Sequence, residues 1–461
     1  MQENLKMPDK TPVFERTLAA IVLFYGAVVF CLPVPFSEEI SYPWWVTKIS
    51  FGNIILHEAI FFVWIGLYGF RFVLRRLLNG GIPTRQAAIF LIALAIWCGL
   101  VSLSSPLPLQ DLGRSFRLLL MAAMLIAVVR WTRQTGDFPL FMLLLGFFTG
   151  TVINLVFSFQ NPLIVNETMR LSGQNTPGVA MGIAIHLAAW LFFHSSNRMI
   201  QFFTIATALV FAFGCGISYS RTGWFAGALG LMAWAYIFIL ARPSGRIERA
   251  RMKRSRRVWV PLLSLVLVLA FSSPVVQESV AWIESLMEQK FSKQGEGDKD
   301  RASYFIGTAE IIVKHPLGVG YSGFYDAMTA TEIYRSGRAA EEESLDANPH
   351  SGFLYYTSAG GIIGGILAVA LFVFLLHSMR FGLVSAFGPP GGILFALVAA
   401  SFLLIGLTVP YMFNSIIMIV PTAIAAGWGW SLRVQHVVSE SSSPAVSVPI
   451  INKYVNPVVT G

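Results

Sequence analysis

The chain has 461 residues, 55% hydrophobic and 12% charged, with a mean hydropathy of +0.65. Those proportions exclude an ordinary soluble domain, in which about a quarter of residues are charged. The net charge of +9, from 33 basic and 24 acidic residues, could suit a nucleic-acid partner, but the charges are distributed as in a membrane protein.

Apolar runs long enough to cross a hydrocarbon core of ~30 Å as helices recur along the chain. They lie at about 17–35, 52–70, 86–104, 115–130, 138–158, 177–195, 199–219, 222–241, 258–276, 353–377, 392–410 and 412–430, predicting twelve spans. The fold class is therefore an all-α polytopic membrane protein. No small-residue cleavage site follows the first apolar run, which reads as an uncleaved first span. Cys31, Cys98 and Cys215 fall inside or at the ends of spans, as small core residues rather than a disulfide framework.

The segment RPSGRIERARMKRSRR at 242–257 holds eight basic residues and one acid, which marks a cytoplasmic loop. Counting spans outward from it puts Arg71, Arg75, Arg76, Arg85, Arg130, Arg133, Arg198, Arg380 and both termini in the cytoplasm. Residues 277–350, with thirteen acidic and seven basic residues, then lie outside. The expected organisation is spans 1–9 within 1–276, an external helical loop at 277–350, spans 10–12 within 351–430 and a flexible cytoplasmic tail at 431–461. If either tight connection, near 196–198 or 220–222, joins the halves of one broken helix, the span count falls.

This topology sets several arginines on or near the outer face: Arg114 and Arg117 in DLGRSFR, Arg170 in ETMRLSG, Arg221 in SYSRTG and Arg301 in DKDRASYF. Short external loops are ordinarily poor in positive charge. Each arginine alone can snorkel to lipid headgroups or pair with a nearby acid. Together they form a candidate phosphate site, because the guanidinium fork grips phosphate oxygens with two parallel hydrogen bonds. Arg221 is expected to begin the eighth span, with Ser220 and Thr222 as capping groups. Arg301 is expected to begin a helix over 301–315, with Asp298 and Asp300 before it. A cation at a helix N-terminus opposes the helix dipole unless an anion joins it.

That helix would present Arg301, Phe305, Thr308 and Ile312 on one face and stop at HPLGVG, where Pro316, Gly318 and Gly320 turn the chain. Upstream, Val280, Ile283, Met287 and Phe291 form an apolar stripe that suits a helix lying at the membrane surface. The loop reads as a small helical cap over a site.

Of seven histidines, His57, His186, His194 and His377 lie in or at the ends of spans, His315 ends a helix and His436 is in the tail. His350, in NPHSGFLYYTSAGGIIGG, sits in a polar turn where the external segment re-enters the membrane. Asn348 and Ser351 could orient it as a general base, or it is a structural turn residue. No HExxH, CxxC or P-loop appears, and Asp298-x-Asp300 reads as capping rather than as a metal and nucleotide site. No cofactor and no metal are expected.

NPHSGFLYYTSAGGIIGGIL, DRASYFIGTAEIIVKHPLGVGYSGF, RLSGQNTPGVAMGIAIH and SYSRTGWFAGALG, in motif order over about residues 140–375, resemble the O-antigen ligase and polymerase superfamily. Pro349 precedes His350 where a polar residue is equally familiar, and Gly178 stands where a second Asn is common. The resemblance implies a GT-C-like glycosyltransferase of the bacterial inner membrane, working at the periplasmic face on glycan carried by undecaprenyl pyrophosphate. It implies His350 as general base, Arg221 and Arg301 on the pyrophosphate, Arg170 on a phosphate, and Arg114 and Arg117 as a basic rim. Membrane lipids surround the spans, and the acceptor would be lipid A-core.

Within the superfamily, one long external loop late in the chain favours a ligase over a polymerase or a protein oligosaccharyltransferase. A lipid or anion transporter would bury charges at mid-span. Here the notable charges lie at outer ends, and Glu58 is the main acid within a span.

Overall fold

The computed structural model describes residues 13–32, 50–51, 54–79, 84–160, 163–165, 168–170, 175–218, 220–241, 257–259, 261, 281, 296–336, 349, 351–410 and 412–442. Helices dominate: α1 Val13–Cys31, α2 Leu56–Trp64, α3 Phe70–Asn79, α4 Arg85–Ser102, α5 Pro108–Thr135, α6 Phe138–Gln160, α7 Asn175–His194, α8 Arg198–Ile217 and α9 Arg221–Ile239. Then follow α10 Glu296–Lys314, α11 Phe324–Thr329, α12 Glu332–Arg335, α13 Gly352–Phe387, α14 Pro389–Thr408 and α15 Ile416–Ser442.

Nine of these, α1, α4 to α9, α13 and α14, are long and apolar enough to cross a membrane, and the bent pair α2–α3 makes up to ten among the described residues. Each coincides with a predicted span. The twelfth predicted span is α15, whose apolar part, Ile416–Ser431, is shorter. The ninth, 258–276, lies outside the described residues except for 258, 259 and 261, as do the basic loop at 242–256 and the four residues of the 280–291 stripe. The chain is a multi-pass membrane protein.

The tight connections separate true helices. Asn197 Oδ1 accepts from Met199 N–H at the start of α8, and Ser220 Oγ accepts from Gly223 N–H at the start of α9. Such caps satisfy amides that a helix start leaves unpaired. The bend between α2 and α3 falls at a π-helical turn, Ile65–Gly69, where the Trp64 ring lies over Gly69.

At the centre stands α7, buried from Val179 to Phe193 and packed against α8 and α9. Around it, α1 packs on α6, α4 on α5, α13 on α4, α14 and α15, and α15 on α5. Helices of similar apolarity gain little from leaving lipid, so close backbone approach carries their packing. A Cβ at Gly146 would lie 2.2 Å from Phe24 O, and one at Gly150 2.6 Å from Val28 O, which seats α6 on α1. Cys31, Cys98 and Cys215 are free and buried.

Four expectations change. The fourth span, read as 115–130, is the much longer α5. Its start at Pro108 suits a residue with no amide hydrogen to satisfy, and it carries Arg114 and Arg117 into the helix. The last helix continues to Ser442, so the first twelve residues assigned to a flexible tail are helical. Helix α10 begins at Glu296, so Asp298 and Asp300 lie inside its first turns, where acids favour the dipole, and Arg301 is not its first residue. Its buried face is Tyr304, Gly307, Thr308 and Ile311 rather than the stripe through Phe305, which is 48% exposed. Tyr304 and Ile311 turn inward because Phe324 and Met328 complete a small core with them. Two short antiparallel ladders also interrupt the all-helical pattern: β1 Ser50–Phe51 with β2 Ile54–Ile55, and β3 Leu163–Val165 with β4 Thr168–Arg170.

Candidate functional site

The helix ends predicted to face outward meet at one end of the bundle. Thr222, beside Arg221 at the start of α9, donates its hydroxyl to Thr408 Oγ1 at the end of α14 (2.8 Å). Two residues earlier, Gly406 O accepts from Ser351 Oγ (3.3 Å), and Ser351 caps α13 by accepting from Leu354 N–H (3.5 Å). The start of α9 and the residue next to His350 are thus tied to the same turn of α14. Backbone contact seats α9: Gly223 lies against Gly178 of α7, and a Cβ at Gly178 would stand 2.4 Å from Ser218 Oγ. Any side chain at Gly178 would collide with Ser218 and Ser220.

The HPLGVG segment fills a break in α13. Gly361 has φ 62° and ψ −155°, which interrupts the helical ladder and leaves carbonyls before it without intrahelical donors. Val319 N–H donates to Ser358 O (2.9 Å), Gly320 N–H to Ala359 O (3.1 Å), and Ile362 N–H donates back to Pro316 O (3.0 Å). Trp97 Nε1 of α4 donates to Gly360 O (2.7 Å). Gly318 and Gly320 have φ of 98° and 75°, and a Cβ on Gly318 would come within 2.5 Å of Ala359 O. Two motifs distant in sequence are therefore one hydrogen-bonded joint, from which α10 departs.

A buried carboxylate holds this joint from the side. Asp111 is fully buried in the first turn of α5, and its Oδ2 accepts from both the amide and the hydroxyl of Ser322 (2.9 Å each). Ser322 Oγ in turn accepts from Leu107 N–H (3.1 Å). Nearby, Tyr321, Tyr355 and Tyr356 are buried in a cluster with ring centroids 5.2–6.3 Å apart. Burial holds the Tyr321 phenol well above the ordinary tyrosine range, so it is neutral and makes no base. Asp111→Ala would leave the Ser322 amide without its charged acceptor and is expected to destabilise the protein by about 2–3 kcal/mol. Asp111→Asn, which keeps an acceptor, should lose less. Thermal unfolding checks both, and an alanine variant as stable as the parent would refute the anchoring role.

The individual candidates lie as follows. Arg221 is the first residue of α9 and half-buried. Arg301 is in the second turn of α10, and Arg170 ends β4, its backbone opposite Leu163; the side chains of both lie outside the described residues. Arg114 pairs with Asp111 (3.5 Å) and Arg117 with Glu58 (3.2 Å), so carboxylates already meet much of the rim's charge. Glu58 Oε2 also accepts from Ile55 N–H (2.9 Å) at the start of α2. His350 itself lies outside the described residues, between the buried Pro349 and Ser351. Among the other histidines, His186 Nε2 bonds Ser401 Oγ (2.9 Å) inside the bundle, and His194 pairs with Asp137 near the other end.

Sequence reasoning missed Asp111, Ser322 and Trp97. A lone acid in the first turn of a long apolar helix, beside two arginines, was the available sign for Asp111. Between α4 and α5, towards the same end of the bundle, runs an apolar groove of about 340 Å³ lined by Ile96, Leu100, Leu103, Leu112, Phe116 and Leu119.

Fold and site define a polytopic membrane protein in which the broken helix α13 and the segment that follows α10 are locked into one assembly at one end of the bundle. Residues 206–369 match the family model described as O-antigen ligase, so that segment is similar to the O-antigen ligase family. The matched stretch includes Arg221, Arg301 and His350, and it includes both halves of the joint at Gly361. No curated protein matches the chain significantly.

Proposed function

We propose that the protein transfers glycan from undecaprenyl pyrophosphate to a hydroxyl of lipid A-core. The site would face the periplasm from the inner membrane of a Gram-negative bacterium, in a GT-C-like fold with cytoplasmic termini. His350 takes the proton of the acceptor hydroxyl as its oxygen attacks the anomeric carbon. The bond from that carbon to the pyrophosphate oxygen breaks, its electron pair leaves with the pyrophosphate, and single displacement inverts the centre. Arg221 and Arg301 hold the pyrophosphate and stabilise charge growing on the departing oxygen. Arg170 assists on a phosphate, and Arg114 and Arg117 complete the rim. The prenyl chain lies along the apolar α4–α5 groove.

The observation that carries this reading is the shared turn of α14, which bonds both Thr222 beside Arg221 and Ser351 beside His350. A base and a cation on opposite sides of one reacting carbon must be held by a common rigid support. From the joint at Gly361, α13 rises ~15 Å back to Ser351 and α10 ~21 Å back to Arg301. The two arms have comparable reach. An anion at the start of α9 would also gain from the helix dipole and from amides there.

Purified protein in a bilayer, given lipid-linked glycan and lipid A-core, should form the joined product. Glycan lengthened on its own lipid carrier instead would make the enzyme a polymerase. A chelator should leave the rate unchanged, and loss of activity restored by a divalent cation would overturn metal-independent chemistry. Arg301→Lys keeps the charge but loses the fork. It should lower the rate at least ~10-fold, against ~10²–10³ for removing such a donor outright, and a parental rate would count against a pyrophosphate role.

A further inference from the structure

The opposite end of the bundle carries a second cluster of arginines that the proposed chemistry does not use. Helix α5 rises ~33 Å between Asp111 and Arg133, about the thickness of a hydrocarbon core. At its far end, Arg130 lies 4.7 Å from the centroid of the Phe72 ring, and Arg76 of α3 lies 5.5 Å from the same centroid. Arg76 also stands 5.5 Å from the Trp430 ring of α15, and Arg133 stands 4.5 Å from it. Sharing these rings keeps Arg76 within about 10 Å of both other guanidiniums, the range over which like charges repel unscreened.

Among the described residues one carboxylate pairs with this group. Glu15 of α1, buried, accepts from Arg130 Nη2 (3.1 Å) and from Trp131 Nε1 (3.3 Å). Among the described residues Arg76 and Arg133, both half-buried, have no such partner, and Arg76 Nε is enclosed with no described acceptor. Stacking on Phe72 and Trp430 orients the guanidiniums, but it leaves two positive charges that no described carboxylate meets, in a partly desolvated setting. Apolar side chains flank the cluster on the surface: Leu74 and Leu78 of α3 are 43% and 67% exposed, and Phe14 of α1 is 54% exposed. A phosphate lodged here would therefore have hydrocarbon-facing surface directly beside it.

We propose that Arg76, Arg130 and Arg133, gathered around Phe72 and Trp430 at the face opposite the candidate active site, hold the phosphate of an anionic phospholipid headgroup. The guanidiniums supply the forks for its oxygens, and the exposed leucines of α3 receive its acyl chains. The site depends on neither His350 nor the external segment.

The full chain in nanodiscs of phosphatidylcholine, doped with phosphatidylglycerol, provides the test. Native mass spectrometry after detergent release should find phosphatidylglycerol retained on the parent, and the dopant should raise Tm by several degrees. Arg76→Gln with Arg133→Gln should cut retention at least tenfold, whereas exposed Arg75→Gln should not. Should the double variant fail to fold, the parent still decides, because retention must fall as salt is raised to 0.5 M. Retention equal in parent and double variant, or indifferent to salt, overturns the site. Inorganic phosphate reproducing the whole Tm rise in pure phosphatidylcholine discs overturns the lipid as its ligand.

Discussion

His350→Ala is expected to lower glycan transfer about 10³-fold, the middle of the range that a positioned general base contributes. Without the imidazole, the acceptor hydroxyl must lose its proton to water while its oxygen attacks, and the arginines cannot replace that function because they only donate. His350→Gln should fall as far, since it fills similar space without taking a proton. In the native host the surface ladder should disappear while long polymer accumulates on undecaprenyl pyrophosphate. Core carrying a single repeat unit would instead indicate a polymerase. A normal ladder, with the variant present in the membrane at parental level, would remove His350 from the mechanism.

Gly361→Ala is expected to be strongly damaging for so small a change. A residue at φ 62°, ψ −155° occupies a region that is essentially glycine's own, at a cost of about 1–3 kcal/mol for any side chain. An added Cβ would also lie 2.1 Å from Pro316 O, a clash that relaxes only if the HPLGVG segment withdraws. Forced overpacking costs about 1–3 kcal/mol more. The three backbone bonds of the joint would be strained or lost, and with them the base of α10. Gly392→Ala in α14 is the matched control: nothing lies within 4 Å of its Cβ position, and alanine favours a helix interior by about 0.5–1 kcal/mol. Thermal unfolding in detergent should separate the two clearly, and transfer should fall with stability only in the first. A Gly361→Ala protein as stable and active as the parent would show that the joint is dispensable.

Much was legible before any coordinates. The long helices α4 and α6 to α9 begin and end within a few residues of their predicted limits, because hydropathy and capping act over neighbouring residues. The glycine turns after His315 were legible for the same reason. The start of α10 was not: the helix runs back to Glu296, and packing against Phe324 and Met328 rotates its buried face. The polar tail hid the last turns of α15, since solvated helix leaves no apolar run to read.

What the sequence determined by itself is the membrane class and the positions of most spans, since residue type and local periodicity carry both; His350, Arg221, Arg301 and Arg170 are the residues it offers for test. What only the tertiary structure decided is which groups meet. Trp97 reaches the Gly360 carbonyl across 263 positions of chain, Ser322 reaches Asp111 across 211, and the rim arginines find Asp111 and Glu58. Those pairings arise from the stacking of α4, α5 and α13 and from one glycine with positive φ, and no local pattern encodes an acceptor left open by a break two hundred residues away.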